Sequence, residues 1–259
     1  MKTDSVQRWR NGRASYRPAR EVITTSDFEV AAIESDRVAK DFVTTHHYSG
    51  SYPAARFRYG LYLGGDLVGV AVFSVPANYR TFDVLPGEVA ENVELGRFVL
   101  LDEIGANAES WFIARCFERL RSEGIVGVVS FSDPVPRSDA DGIVTFPGHI
   151  GTIYQATNGT YLGTSKPKHL MLLPDGSSFH PRARSKVRFR EKGFARVVER
   201  LESAGAPAYD DSDEWLGRAL AAVTRRVRHS GNHKYVWALH RRDRRHLPDS
   251  RPYPKIVAA

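Results

Sequence analysis

Sulfur is scarce in this chain: one cysteine, Cys116, and two methionines among 259 residues. A lone cysteine excludes an internal disulfide framework and fits a reducing compartment, so a cytoplasmic protein is expected. No apolar run approaches the roughly 18 residues that cross a bilayer. The opening "MKTDSVQRWRNGRASYRPAR" has no apolar core, so no secretory signal is expected either. Metal-ligand spacing is missing too. The histidines at 46, 47, 149, 169 and 180 follow no recognised ligand pattern, and there is no cysteine pair. Negative charge is the last shortage: 30 Asp and Glu face 37 Lys and Arg, a net charge of +7.

What is present is uneven. From His180 to Arg200 there are eight Lys/Arg and two Glu; from Arg218 to Lys255 there are eleven Lys/Arg and two Asp. The first twenty residues add six cations against Asp4 alone, while Phe82 to Glu123 is acidic or balanced. Basic ends around a neutral middle favour a polyanionic partner, nucleic acid, over plain solubilising charge. A hydrophobic content of 42% indicates a folded protein, and the length suits one large domain or a core with an extension.

Along the chain, "DFEVAAIE" (27–34) reads as a strand. "SDRVAKDFVTTHH" reads as a helix capped by Ser35, with Val38, Phe42 and Val43 on one face. "THHYSGSYP" (45–53) interrupts it, because Gly50 and Pro53 do not continue a helix. "RYGLYLGGDLVGVAVFSVP" is a hairpin around Gly64-Gly65-Asp66. "VELGRFVLLD" is a strand, and "NAESWFIARCFERLRSEG" is a helix capped by Asn107 and ended by Gly124, with Trp111, Phe112, Ala114, Cys116, Phe117 and Leu120 on its apolar side. "IVGVVSFSDP" is a buried strand, "HIGTIYQATN" a short helix and "PKHLMLLPDG" a strand. Basic helices follow over 181–203 and 212–228, and "GNHKYVWALH" is the last strand before a loosely ordered Pro/Arg-rich tail. This order predicts an α/β fold, a central twisted mixed sheet with helices on both faces. The expected organisation is a basic arm (1–24), a core (25–176), a basic helical DNA-binding insertion (177–230), the final core strand (231–240) and a basic tail (241–259).

That order, with "HHYSGS" (46–51), "VELGRFVLL" (93–101), "ANAESWFIARC" (106–116), "VVSFSDPVPR" (128–137), "GHIGTIYQATNGTYLG" (148–163) and "GNHKYVWAL" (231–239), resembles the GNAT acyltransferase fold and, within it, the Mom family of phage DNA-modification proteins. The resemblance implies conversion of adenine in DNA to an N6-carbamoylmethyl (acetamido) derivative, in the cytoplasm of a bacterial host, which shields phage DNA from restriction. It carries the family's site onto His47, Tyr48, Arg97, Asp133 and Tyr154, and onto Ser130 or Ser132, between which the motif does not choose. One stretch departs from ordinary GNAT enzymes. Where those have a Gln/Arg-x-x-Gly-x-Gly/Ala loop whose N–H groups hold a pyrophosphate, this chain has "LLDEIGANAES", with Asp102 and Glu103 opposing a phosphate.

Adenine N6 is a poor nucleophile stacked inside the duplex, so its enzyme needs an unstacked base, an acceptor for N6–H, aromatic faces and cations for phosphate. Asp133, at a strand end and held extended by Pro134, is the candidate acceptor; the alternative is an Asx-turn or helix cap. Tyr154 and His47 are the candidates for moving protons, or else a core aromatic and a surface histidine. Tyr48 is the candidate to stack on or orient the base, and His46 is the less favoured of the two histidines. Arg97, among apolar neighbours, requires a partner, either a carboxylate such as Glu94 or Asp133, or a phosphate or substrate carboxylate. Arg182, Arg184, Lys186, Arg188 and Arg190, with Arg225, Arg226 and Arg228, are the candidate contacts to double-stranded DNA, or otherwise a solvated face. The small-molecule donor is open: acetyl-CoA, another carbamoylmethyl donor, or chemistry at an iron that Asp133 helps to hold. A dimer is compatible with the sequence. The competing functions are a conventional acyl-CoA-dependent N-acetyltransferase and a non-catalytic DNA-binding protein on the same scaffold.

Overall fold

A near-continuous apolar run at 67–73, followed by a second at 92–100, places a seven-stranded sheet at the centre of the computed structural model, which describes residues 5–10, 13–19 and 21–255. The chain begins with a hairpin, β1 (Ser5–Arg10) and β2 (Arg13–Pro18). Next come β3 (Phe28–Ala32), α1 (Asp36–His46), β4 (Ala55–Leu63), β5 (Asp66–Ser74), β6 (Asn92–Leu100), α2 (Ala108–Ser122) and β7 (Gly127–Ser132). A small pair, β8 (Arg137–Ser138) and β9 (Val144–Phe146), precedes α3 (Thr152–Ala156), β10 (Thr160–Thr164) and β11 (Lys168–Leu172). The remainder is α4 (Pro181–Arg188), α5 (Phe194–Ser203), α6 (Trp215–Val223), β12 (Arg225–His229) and β13 (His233–Ala238).

The sheet order is β10-β13-β7-β6-β5-β4-β3, and β6–β7 is the parallel pair among antiparallel neighbours. Period-two alternation turns Val70 and Val72 to one face and Ala71 and Phe73 to the other, all fully buried. Ala39 and Val43 of α1 cover the first face; Phe112, Ile113, Cys116 and Leu120 of α2 cover the second. The mixed α/β fold with helices on both faces is therefore what the chain builds. Ser35 caps α1 by accepting from the N–H of Val38, and the β4–β5 turn holds Gly64 and Gly65 at φ of 60° and 92°, a region glycine enters without strain. Among the described residues no helix is long and apolar enough to cross a membrane.

The chain divides into two compact units. The first holds the sheet: residues to 133, 149–165 and from 232 on. The second, 134–148 and 166–231, has its own core of Phe179, Val198, Leu201, Trp215 and Leu220. It is wider than the insertion expected at 177–230, since β8, β9 and β11 belong to it.

Several expectations are corrected. The helix over 212–228 ends at Val223. Residues 225–229 are instead a strand, because Arg-Arg-Val-Arg-His alternates exposed cations with the inward Val227 and His229, and it pairs with β11. The stretch 181–203 is two helices broken around Gly193, whose φ is 87°. Val38 is 46% exposed and Ala39 takes its place beside the expected Val43 on the buried face of α1, and Ala114 faces solvent. Asn107 makes no side-chain cap on α2. The arm expected over 1–24 is a hairpin with Arg8 buried, although residues 1–4, 11, 12 and 20 of it lie outside the described residues. The tail is not loose over its described part. The N–H of Arg251 donates to the Tyr161 carbonyl at 2.8 Å and the Tyr253 hydroxyl to the Gly159 carbonyl at 2.9 Å, lining the edge of β10; residues 256–259 lie outside the description.

Candidate active site

β6 and β7 pair over three residues, Asn92 to Glu94 against Gly127 to Val129, and then part. Beyond that point the Ser130 hydroxyl, fully buried, donates to the Leu95 carbonyl at 2.9 Å, across the opening fork. On the other edge of β6 a bulge sets Phe73 opposite Leu95 and Val72 opposite Arg97, leaving Gly96 over. A Cβ at Gly96 would meet the Ser74 hydroxyl at 2.5 Å, so glycine allows the close approach. A fork at strand ends in an α/β sheet exposes unpaired main chain to a ligand.

Arg97 sits at this fork and is held by the loop after α1. Its Nε donates to the Ser51 carbonyl at 2.8 Å and its Nη2 to the Ser51 hydroxyl at 2.7 Å. The Ser51 hydroxyl donates to Ser49 Oγ at 3.3 Å. The Ser49 N–H reaches His47 Nδ1 at 3.1 Å, and its hydroxyl lies 2.9 Å from the same atom. A backbone N–H only donates, so Nδ1 carries no proton and the neutral ring has its hydrogen on Nε2. Burial drives the His47 pKa well below the usual histidine range, and the Arg97 and His149 charges push it the same way. His47 therefore presents an N–H, and its lone pair is already engaged. Of the partners expected for Arg97, the carboxylate is replaced by the loop's Ser51, and Glu94 acts on the guanidinium through its field. Burial raises the Glu94 carboxyl and Arg97 partly offsets the rise.

Tyr48 stacks beside His47, centroids 4.2 Å apart, and its hydroxyl lies 3.2 Å from Nε2 of His149. The main-chain N–H of His149 donates to the Asp133 main-chain carbonyl at 2.8 Å. Asp133 itself is half-buried at the end of β7. Trp9 of β1 meets Tyr48 edge-on at 6.2 Å. His46 packs on Phe42 of its own helix instead.

Tyr154 of α3 approaches the fork from the other side. Its ring is buried against Tyr235 and Trp237, and Ser130 and Arg97 act on its phenol. Burial raises its pKa, which Ser130 and Arg97 partly oppose, so the group is a phenol at neutral pH and has a proton to give. Ser132 is fully buried with its hydroxyl unpartnered among the described residues, facing Gly151. At φ 78° and with Tyr154, Tyr235 and Ser132 within 3.0 Å of any Cβ, position 151 admits only glycine. Of the two serines, Ser130 is thus the one tied into the fork. The six residues His47, Tyr48, Arg97, Ser130, Asp133 and Tyr154 are brought into one connected set. His149, Ser49 and Ser51 complete it; no spacing rule marks His149, 101 residues from Tyr48.

The start of α2, where a GNAT enzyme would hold a pyrophosphate, is closed from within. A carboxylate oxygen of Glu21 accepts from the Ala106 N–H at 2.9 Å, and Arg17 holds that carboxylate by two bonds. Asp102 lies alongside, accepting from the Ser15 hydroxyl. Ile23 Cγ2 would be 2.8 Å from a Cβ at Gly105, so the strap crosses that glycine. Below it Arg8 donates to the Leu101 and Ile104 carbonyls and pairs with Glu109 at 2.7 Å, whose carboxyl burial pushes up to about 7 despite Arg8. Coenzyme A in its usual pose does not fit residues that already bring a carboxylate to this N–H. Among the described residues no three His, Cys, Asp or Glu gather as metal ligands.

The eight candidate DNA contacts all lie in the second unit, and they are not equivalent. Arg182 pairs with Glu191 and Arg190 with Asp211. Arg184, Lys186, Arg188, Arg225, Arg226 and Arg228 have no ion-pair partner among the described residues, although Arg225 donates to the Ser138 carbonyl and Arg226 approaches His169.

A seven-stranded mixed sheet with a fork between its parallel strands, and proton-bearing groups gathered at that fork, define a mixed α/β protein with a candidate acid–base site. The chain matches the model of the Mom protein family over residues 27–255 and belongs to that family. Membership brings the coarse activity with it, modification of DNA of the phage type. Solved structures that the chain is similar to include an N-acetyltransferase from Staphylococcus aureus Mu50 (11% identity, 71% of this chain and 68% of that one, TM-score 0.31). Another is a Bacillus subtilis acetyltransferase in complex with CoA (8% identity, 82% and 97% covered, TM-score 0.34). No curated protein matches the chain.

Proposed function

We propose that the chain transfers a carbamoylmethyl group to adenine N6 in DNA, a mark that protects phage DNA from restriction. The observation that carries this reading is the fork, where a buried phenol, a guanidinium and a neutral imidazole N–H meet at parted strands. The target base must leave its stack to reach such a site. In the reaction the N6 lone pair forms a bond to the donor's methylene carbon, and the bond from that carbon to its leaving group breaks with its pair. Asp133 takes the N6 proton, and the Tyr154 phenol supplies one to the leaving group. His47, through Nε2–H, and Arg97 hold the donor's amide or an anionic part of it, while Tyr48 orients the base. Ser130 positions the Tyr154 hydroxyl. The closed α2 terminus favours a donor other than coenzyme A in the usual pose, and with it a reaction other than conventional acetylation.

Expression in a bacterial host followed by mass spectrometry of its nucleosides tests the reading. A modified deoxyadenosine is expected, and Asp133→Ala and Tyr154→Phe lower its yield by about 10²–10⁴-fold, the range of general acid–base contributions. An unmodified adenine pool despite soluble protein, or full yield from Asp133→Ala, overturns it.

A further inference from the structure

The second unit contains a cavity of about 480 Å³ that no part of the reaction described above uses. It is lined by the apolar Val187, Leu216 and Leu220 and by charged groups, Arg184 and Arg188 with Asp213 among them. Phe189 lies on the wall with 66% of its surface exposed, unusual for a large aromatic in a chain that buries most of the others. The Arg188 guanidinium lies 5.6 Å from its ring centroid.

The backbone holds this aromatic outward. Phe189 ends α4, and the next residue, Arg190, sits at φ 47°, a left-handed conformation that costs a non-glycine residue about 1–2 kcal/mol. Asp211, its ion-pair partner, is left-handed as well at φ 60°, and the Tyr209 hydroxyl donates to the Asp211 carboxylate at 2.9 Å. The Arg190–Asp211 ion pair thus joins the turn after α4 to a second left-handed residue, with Arg190 itself on the cavity lining. An exposed ring, guanidinium groups without ion-pair partners among the described residues and a pocket of this size match a nucleotide, whose base stacks and whose phosphates carry the charge.

We propose that this cavity is a nucleotide subsite that takes one unstacked base of DNA on Phe189, with the adjoining phosphates on Arg184 and Arg188. The proposal rests on the reading of DNA as substrate. It adds that the second unit grips single-stranded DNA, a state in which an adenine amine is reachable.

Fluorescence anisotropy with the full chain, without donor, measures a labelled 12-nucleotide single strand and the same sequence fully paired. Phe189→Ala is expected to weaken single-strand binding about 5- to 150-fold, the worth of one base–aromatic stack. It should leave duplex binding and the melting temperature nearly unchanged, since the ring is exposed. Arg184→Ala and Arg188→Ala should each lower the salt slope for the single strand by about 0.7, which Phe189→Ala should not. Equal single-strand binding by Phe189→Ala and the parent overturns the proposal, and so does an equal loss on duplex. Failure of nucleoside modification with these binding results intact would overturn the proposed reaction and leave the subsite standing.

Discussion

His47 shows how the loop after α1 ties chemistry to pH. Its folded pKa lies below the value of about 6.5 that it takes in the unfolded chain. Below pH 6.5 the unfolded state therefore binds a proton that the folded state refuses, and stability falls as pH falls through that window. Replacing His47 by Gln removes this single proton and leaves His233, also lowered, as a common background. Between pH 6.5 and 5, denaturant melts should show the parent losing stability relative to His47→Gln, by at most about 1.4 kcal/mol per pH unit. Parallel curves would show that the imidazole titrates freely and has no fixed Nε2–H. The motif "HHYSGS" singled out His47 and Tyr48 from their neighbours, but the direction of the Ser51–Ser49–His47 chain was not legible. It depends on Arg97, 46 residues away, donating into Ser51.

At the scale of elements, the β1–β2 hairpin and the strap behind it account for the strangest local sequence in the chain. Acidic residues at 102 and 103 oppose phosphate, and that much was readable; what they serve instead was not, because the answer comes from residues 8–23. Glu21 supplies to the Ala106 N–H the anion that a bound phosphate would otherwise supply, and Arg17 neutralises it. Glu21→Ala removes both interactions. A net loss of about 1–2 kcal/mol follows, read as a melting temperature lower by about 2–6 °C in a protein of this size. The parent's melting temperature should not respond to coenzyme A. A clear stabilisation of the parent by coenzyme A, or no change on Glu21→Ala, would show that the terminus is open. The same dependence on distant partners explains the reading of 212–228. Apolar periodicity ended with Val223, but Arg-Arg-Val-Arg-His declares itself a strand only when β11 is there to pair with it.

The whole molecule separates chemistry from charge. The sheet unit carries the fork and the groups proposed to move protons, and its order of elements was largely legible because strands, capped helices and glycine turns signal locally. The second unit carries the candidate DNA contacts, and composition could count those cations without sorting them. Ion pairing does sort them: a cation already neutralised by Glu191 or Asp211 must lose that partner before it meets a phosphate, whereas one without such a partner releases counterions outright. For duplex DNA, the combined Arg225→Ala, Arg226→Ala, Arg228→Ala variant should reduce the slope of log K against log salt by about 2–3, near 0.9 for each phosphate that is no longer neutralised. Arg182→Ala and Arg190→Ala together should change it by less than about 1, because each also frees a carboxylate that was balanced before. Binding isotherms across a series of salt concentrations measure both slopes on one labelled duplex. If the paired cations prove the costlier to remove, the ion pairs open on DNA and the charge map of the free protein is not the map of its grip.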